Sequence, residues 1–204
     1  MRTTAPALFV AVVACASAPP APTPPVAPTS PPSASVARVE AGSYSVTLDG
    51  RTAEVRVAAF EVQRAPVDLA AWQRLDPDWP AVVDGTPASR DGALVAVSFQ
   101  DTIRGANLWS RASGRDAAWT EPGPAAERRG LANGWRPPTA AELAVAHAVV
   151  PDLAAPDGLW WWTEDLWPEH PTDRVTLSRT NARRRAAENV RYADVGVRLV
   201  RDAR

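Results

Sequence analysis

Apolar and polar residues alternate on both sides of Asp49-Gly50, with Tyr44, Val46 and Leu48 before it and Ala53, Val55 and Val57 after it. Period two about an Asp-Gly pair predicts a β-hairpin with a two-residue loop, Val46 opposite Ala53 and Tyr44 opposite Val55, on one face. The period then becomes helical in three places. Asp68 is placed to cap a helix over Leu69–Leu75 that buries Leu69, Trp72 and Leu75. Ser98-Phe99-Gln100-Asp101 has capping-box spacing and opens a helix running towards Ser110. Thr139-Ala140-Ala141-Glu142 is a second capping box, directly after Pro137-Pro138. Beyond Pro156 the pattern is β-type, with candidate strands at 159–163, 174–177 and 195–200. Loops rich in Gly, Pro and Asp separate these segments, so the expected class is α+β, irregular, with short helices and small antiparallel sheets.

The first residues follow a different rule. Residues 1–14 carry one charge, Arg2, and then the apolar run Leu8-Phe9-Val10-Ala11-Val12-Val13-Ala14. That is far short of the ~20 residues of a membrane-spanning helix and reads as a secretory signal peptide. Val12-Val13-Ala14-Cys15 resembles the lipobox of bacterial lipoproteins, in which the Cys is lipidated and becomes the new N-terminus. The alternative is ordinary cleavage after Ala18, which leaves a soluble periplasmic or secreted protein. Residues 16–35 are Pro, Ala, Ser, Thr and Val without charge or aromatic side chains, and they read as a Pro-rich linker. The folded domain is then 36–204, and it holds all nine Trp.

Composition narrows the chemistry. The 22 basic residues, all Arg, balance 23 acidic ones, which argues against a nucleic-acid partner. The absence of Lys excludes a Schiff-base or phosphate-loop lysine, and one Cys excludes a disulfide framework.

Four segments in register resemble the formylglycine-generating-enzyme, or sulfatase-modifying-factor, family. They are Phe60-Glu61-Val62 with Pro66-Val67 and Trp72; Val97-Ser98-Phe99-Gln100-Asp101 with Ala106-Asn107-Leu108-Trp109-Ser110; Gly134-Trp135-Arg136-Pro137-Pro138-Thr139-Ala140-Ala141-Glu142-Leu143; and Gly158-Leu159-Trp160-Trp161-Trp162-Thr163-Glu164-Asp165 with Arg174-Val175 and Gly196-Val197-Arg198-Leu199-Val200-Arg201. The resemblance implies a variant of the C-type-lectin fold. Active members of that family oxidise a substrate cysteine through a copper ion held by two late cysteines, and this chain has no Cys after Cys15. Thiolates select soft Cu(I), so that site cannot form. The family's R-G-G-S-W segment is replaced by Thr176-Leu177-Ser178-Arg179-Thr180-Asn181. Calcium is the ion left open by the resemblance, but Gly158 and Trp161 stand where the calcium motif has Asn and Glu, and an indole cannot replace a carboxylate. The resemblance thus implies a degenerate scaffold with no cofactor.

Other chemistry is thinly represented. No G-x-S-x-G occurs, and Ser98 already has a role as a helix cap. His147 reads as a helix-surface or packed residue. Asp165, Glu169, His170 and Asp173 cluster along one loop and are weak metal-ligand candidates, without the i, i+4 spacing of a helical site. Glu164-Asp165 reads as a solvated turn. In Trp160-Trp161-Trp162 the outer two are expected in the core, whereas Trp161 either packs under a loop or presents an aromatic surface. With Trp167, His170 and the run Arg183-Arg184-Arg185, itself expected as a solvated loop or helix face, it makes a candidate binding surface. The expectation is an exported, lipid-anchored cell-envelope protein whose domain acts as a binding or assembly module for an envelope protein or glycan. The alternatives are an enzyme of the same superfamily with an unassigned metal or cofactor, and a purely structural envelope protein.

Overall fold

The computed structural model describes residues 35–123, 126–130, 132–153 and 156–203. The expected signal segment, Cys15 and the expected linker up to residue 34 fall in residues 1–34, which lie outside the described residues.

The fold is mixed α+β, with three helices and small sheets among the described residues. The first strand, β1 (Val36–Val39), and the last, β13 (Val200–Asp202), flank β4 (Phe60–Gln63) antiparallel on either side. Between β1 and β4 lies the predicted hairpin, β2 (Gly42–Leu48) and β3 (Arg51–Val57), with Val46 opposite Ala53 and Tyr44 opposite Val55. Asp49 and Gly50 both take positive φ, 50° and 74°, as a tight turn between twisted strands requires. The same Asp-Gly device closes two further hairpins, β5 (Val82–Val83) with β6 (Thr86–Pro87) and β7 (Ser89–Arg90) with β8 (Ala93–Leu94). Their two-residue arms hold no alternation to read, so Asp84-Gly85 and Asp91-Gly92 were their one local signal.

All three helices start where their caps predicted: α1 (Leu69–Leu75) at Asp68, α2 (Phe99–Ala112) at Ser98 and α3 (Ala140–Val149) at Thr139. Both capping boxes are closed in both directions. Helix α2 crosses α1 at Gly105, where an added Cβ would stand 2.0 Å from Trp72 Cη2. Gly105→Ala is therefore expected to destabilise the protein by about 1–3 kcal/mol in urea unfolding, outweighing the ~1 kcal/mol gain in helix propensity. A stabilised variant would show that the ring moves aside.

The second sheet has the order β11-β10-β9-β12. Its strands are β9 (Trp160–Trp167), β10 (His170–Ser178), β11 (Arg183–Ala187) and β12 (Val195–Gly196), antiparallel except for β12 alongside β9. The β9–β10 hairpin is longer than predicted, with register shifts on both sides of Arg174. The single strand expected over 195–200 is split between two sheets. Between its halves Arg198 is fully buried, and its Nη1 donates to the carbonyls of Gln63 (2.7 Å) and Arg64 (2.8 Å), drawing the chain across to β4.

This second sheet separates two apolar clusters. Trp162, Phe99, Trp72, Trp109 and Trp119 pack on one side, while Trp161, Leu177, Val46, Val62 and the buried residues of α3 pack on the other. Successive side chains of a strand face opposite ways, so Trp161 and Trp162 fill different clusters. The expectation of Trp161 as part of a binding surface is corrected: it is 0% exposed, because α3 and the β2–β3 hairpin cover its face of the sheet. Trp160, expected in the core, is partly buried against the first cluster.

Candidate functional site

The motif from Gly134 to Leu143 is structural chemistry. A Cβ on Gly134 would lie 2.1 Å from the Asp116 carbonyl oxygen, so the chain passes there only as glycine. Next to it, Arg136 is buried and donates to both Glu142 oxygens (2.7 and 2.6 Å) and to Asp202 Oδ1 (2.6 Å). Burial works against its charge, but the Glu142, Glu164 and Asp202 carboxylates outweigh this and hold its pKa above the usual guanidinium value. Glu142 also accepts from the Thr139 N–H at 2.8 Å, so the helix cap and the ion pair share one carboxylate.

Glu164 and Asp165 do not form a solvated turn. Both are half-buried on β9: Arg128 Nη1 donates to Glu164 at 2.7 Å, and Asp165 accepts from the Ala140 N–H at the start of α3 at 2.5 Å. Burial pushes both carboxyls above their ordinary range, with Arg136 and Arg128 opposing this for Glu164 and the Ala140 N–H opposing it for Asp165. The loop candidates for a metal are not brought together. Asp165 serves α3, Asp173 pairs with Arg185 at 3.3 Å, and Glu169 and His170 are exposed at the hairpin turn. Among the described residues no group of three or more His, Cys, Asp or Glu is placed to hold a metal.

The arginine run is a strand, not a loop or helix face, because it pairs residue for residue with β10. Each member has an acidic partner: Arg183 with Asp49 (2.6 Å), Arg184 with Asp194 (2.6 Å) and Arg185 with Asp173 (3.3 Å). Arg184 also lies over the Trp160 ring, 4.6 Å from its centroid. It is therefore no open cationic patch. The outer edge of β11 is blunted as well, since the Arg183 N–H donates to Asp49 Oδ1 (2.7 Å) and the Ala187 N–H to Tyr192 Oη (3.0 Å).

What the sheet does build is a cleft of about 360 Å³ between the start of α2, the loop at Gly123, β10 and the end of β11. Gln100, Gly123, Thr172, Asp173, Ala187, Glu188 and Asn189 line it. Behind this lining Arg174 is buried, with its guanidinium 4.3 Å from the Phe99 ring centroid and Nη1 donating to the Glu164 carbonyl at 2.9 Å. Glu188 Oε2 accepts from Arg174 Nε and Nη2 (3.2 and 3.1 Å), and its Oε1 accepts from Gln100 Nε2 (3.2 Å). Gln100 Oε1 in turn accepts from the Gly123 N–H at 2.8 Å. Trp167 and His170 face each other across the hairpin tip, two residues along β10 from Thr172, beside exposed Leu166. Of the sequence candidates, the structure thus brings Trp167, His170, Asp173 and Arg185 to the cleft end of the sheet, and sends Trp161, Arg183 and Arg184 elsewhere. Sequence reasoning missed Gln100, Thr172, Glu188 and Asn189 as lining residues; Gln100 stands in the capping-box segment, where the spacing assigns it no role, and no motif covers the other three.

His147 is packed, far from the cleft chemistry. Its Nδ1 lies 2.7 Å from Asn181 Oδ1, an acceptor, so Nδ1 is the nitrogen that donates. Burial pushes its pKa down to about 4, aided by Arg198 and Arg179 and opposed by the Asn181 bond. The unfolded chain then binds the extra proton first, so stability is lost as pH falls from about 6.5 towards 4. In acid unfolding the wild type minus His147→Gln difference should carry this slope; parallel profiles would refute the assignment.

The structure is similar to Treponema denticola variable protein 1, with TM-score 0.64 and 16% identity over 82% of this chain and 95% of that one. It is also similar to CarF (TM-score 0.65, 15% identity, 84% of this chain and 99% of that one) and to PvdO from Pseudomonas aeruginosa (TM-score 0.56, 14% identity, 82% and 94%). A scan against protein-family models finds no match, and a search of curated proteins finds none. At these identities the likeness is one of fold, extending over about four-fifths of the chain.

Proposed function

We propose that this protein is an exported lipoprotein, lipidated at Cys15, whose domain is of the formylglycine-generating-enzyme type with a C-type-lectin-like fold and works as a binding or assembly module of the cell envelope. The observation that carries the reading is the cleft between α2 and β10–β11, whose carboxylates are already tied to arginines and whose rim is left open for contact. The two-thiolate copper site of the active family has no counterpart, because residues 36–204 contain no Cys. The family's calcium site finds no support in Trp161, whose indole is buried where a carboxylate ligand is needed. Acyl chains on Cys15 would hold the module at a membrane at roughly 0.8 kcal/mol per buried methylene, and the Pro-rich linker would give it reach.

Native mass spectrometry of the full chain from its host's envelope tests this reading. The expected result is an acylated N-terminal Cys15 and a component retained one-to-one that is lost in Asn189→Trp, which fills the cleft. Oxidation of a peptide cysteine by the copper-loaded chain would overturn it. So would identical retained masses in wild type and variant.

A further inference from the structure

We infer that the cleft recognises an uncharged, hydroxyl-rich ligand, a short saccharide, rather than an extended peptide; this rests on the binding-module reading above. Charge points that way first. Asp173 and Glu188 are the ionisable residues of the lining, and each already carries an arginine, Arg185 at 3.3 Å and Arg174 at 3.1 Å. A cationic ligand meets carboxylates whose charge those arginines already offset, and an anionic one is repelled by the same carboxylates.

The remaining hydrogen-bonding capacity is of mixed sign. Asn189 is exposed in the turn after β11 and its side chain makes no hydrogen bond among the described residues, so its amide offers both a carbonyl and two N–H groups. The Thr172 hydroxyl has only a long 3.4 Å contact with Asp173 Oδ1, and Gln100 Nε2 keeps one N–H beyond its bond to Glu188. The carboxylates retain lone pairs beyond those the arginines use. A sugar hydroxyl donates and accepts at one atom, and neighbouring hydroxyls repeat that pair at short spacing, which matches this lining.

A peptide would find the opposite. Extended peptides gain affinity by adding a strand to an open sheet edge. Here the nearest edge, β11, has the Arg183 and Ala187 N–H groups capped by Asp49 and Tyr192, and the Ala187 carbonyl accepts from the Val190 N–H at 3.2 Å. The volume, about 360 Å³, sits at the low end of the ~300–1,000 Å³ of small-molecule sites, which suits a short saccharide.

The test is an array of immobilised neutral, acidic and amino oligosaccharides probed with the full chain, followed by calorimetric titration of the strongest binder. Neutral sugars should bind, with little change on raising the salt concentration. Asn189→Ala and Thr172→Val should each weaken binding about 2- to 12-fold, the equivalent of one neutral hydrogen bond, without moving the urea midpoint. A blank array overturns the inference, as does binding indifferent to both substitutions. If the array is blank but Asn189→Trp still strips a retained protein from the native chain, the saccharide falls and the module reading stands. If the array is blank and that variant changes nothing, both fall.

Discussion

Arg136→Met is expected to lower the free energy of unfolding by about 3–5 kcal/mol, the cost of removing one partner from a buried ion pair and leaving the other behind. The arginine is almost fully buried and holds both oxygens of Glu142 and one of Asp202, with Glu164 3.8 Å away. Methionine fills most of the same volume, so the loss reports charge more than packing. Glu142 and Glu164 would then face each other in a buried site without their main counter-charge, and the capping box that starts α3 would lose the carboxylate's anchor. Glu164 is already pushed above the ordinary 4.5 by burial, and removing Arg136 raises it further. A raised carboxyl takes up its proton in the folded state first, so its penalty grows as pH rises above 4.5 and fades below it. The deficit of the variant should therefore be larger at pH 7 than at pH 4 in urea unfolding. Adding Glu142→Gln should return part of the loss, since it removes one stranded charge. A deficit under about 1 kcal/mol, or one independent of pH, would show that the site takes up water and screens itself.

Trp161→Ala should cost a similar amount, about 3–5 kcal/mol, for a different reason. Its ring is fully buried against Leu177, α3 and the β2–β3 hairpin, and the Arg198 guanidinium lies 5.2 Å from its centroid. Gly196 passes so close that a Cβ there would stand 2.9 Å from Trp161 Cζ3. Removing the indole leaves a cavity that this rigid surround cannot collapse into, and it takes the aromatic face from beneath a buried cation. The component retained by the cleft should be the same in variant and wild type at temperatures where both are folded. Loss of that component with the unfolding midpoint unchanged would return Trp161 to the role of surface anchor that its place in the motif suggested.

Legibility in this chain follows distance along it. The β2–β3 register was readable because Asp-Gly and the alternation around it act within one hairpin. The three helix starts were readable because a cap and its partner are three residues apart, as Ser98 with Asp101 and Thr139 with Glu142. The arginine run misled because none of its partners lies within one turn or hairpin loop of it: Arg184 meets Asp194 10 positions on, and Arg183 meets Asp49 across 134, and no local pattern announces either pairing. Glu164-Asp165 misled likewise, since two adjacent carboxylates look solvated until Arg128 and the start of α3 arrive from elsewhere.

By itself, therefore, the sequence determined the α+β class, the hairpin, the helix starts and the absence of thiolates from residues 36–204, all properties of composition or of contacts within a few residues. The tertiary structure alone decided which Trp faces which core and that each arginine of the run is paired. It alone formed a cleft where Gln100 meets Glu188 across 88 positions. The physical reason is that burial and ion pairing are set by what covers a surface, and the covering elements come from distant parts of the chain once the sheets have formed.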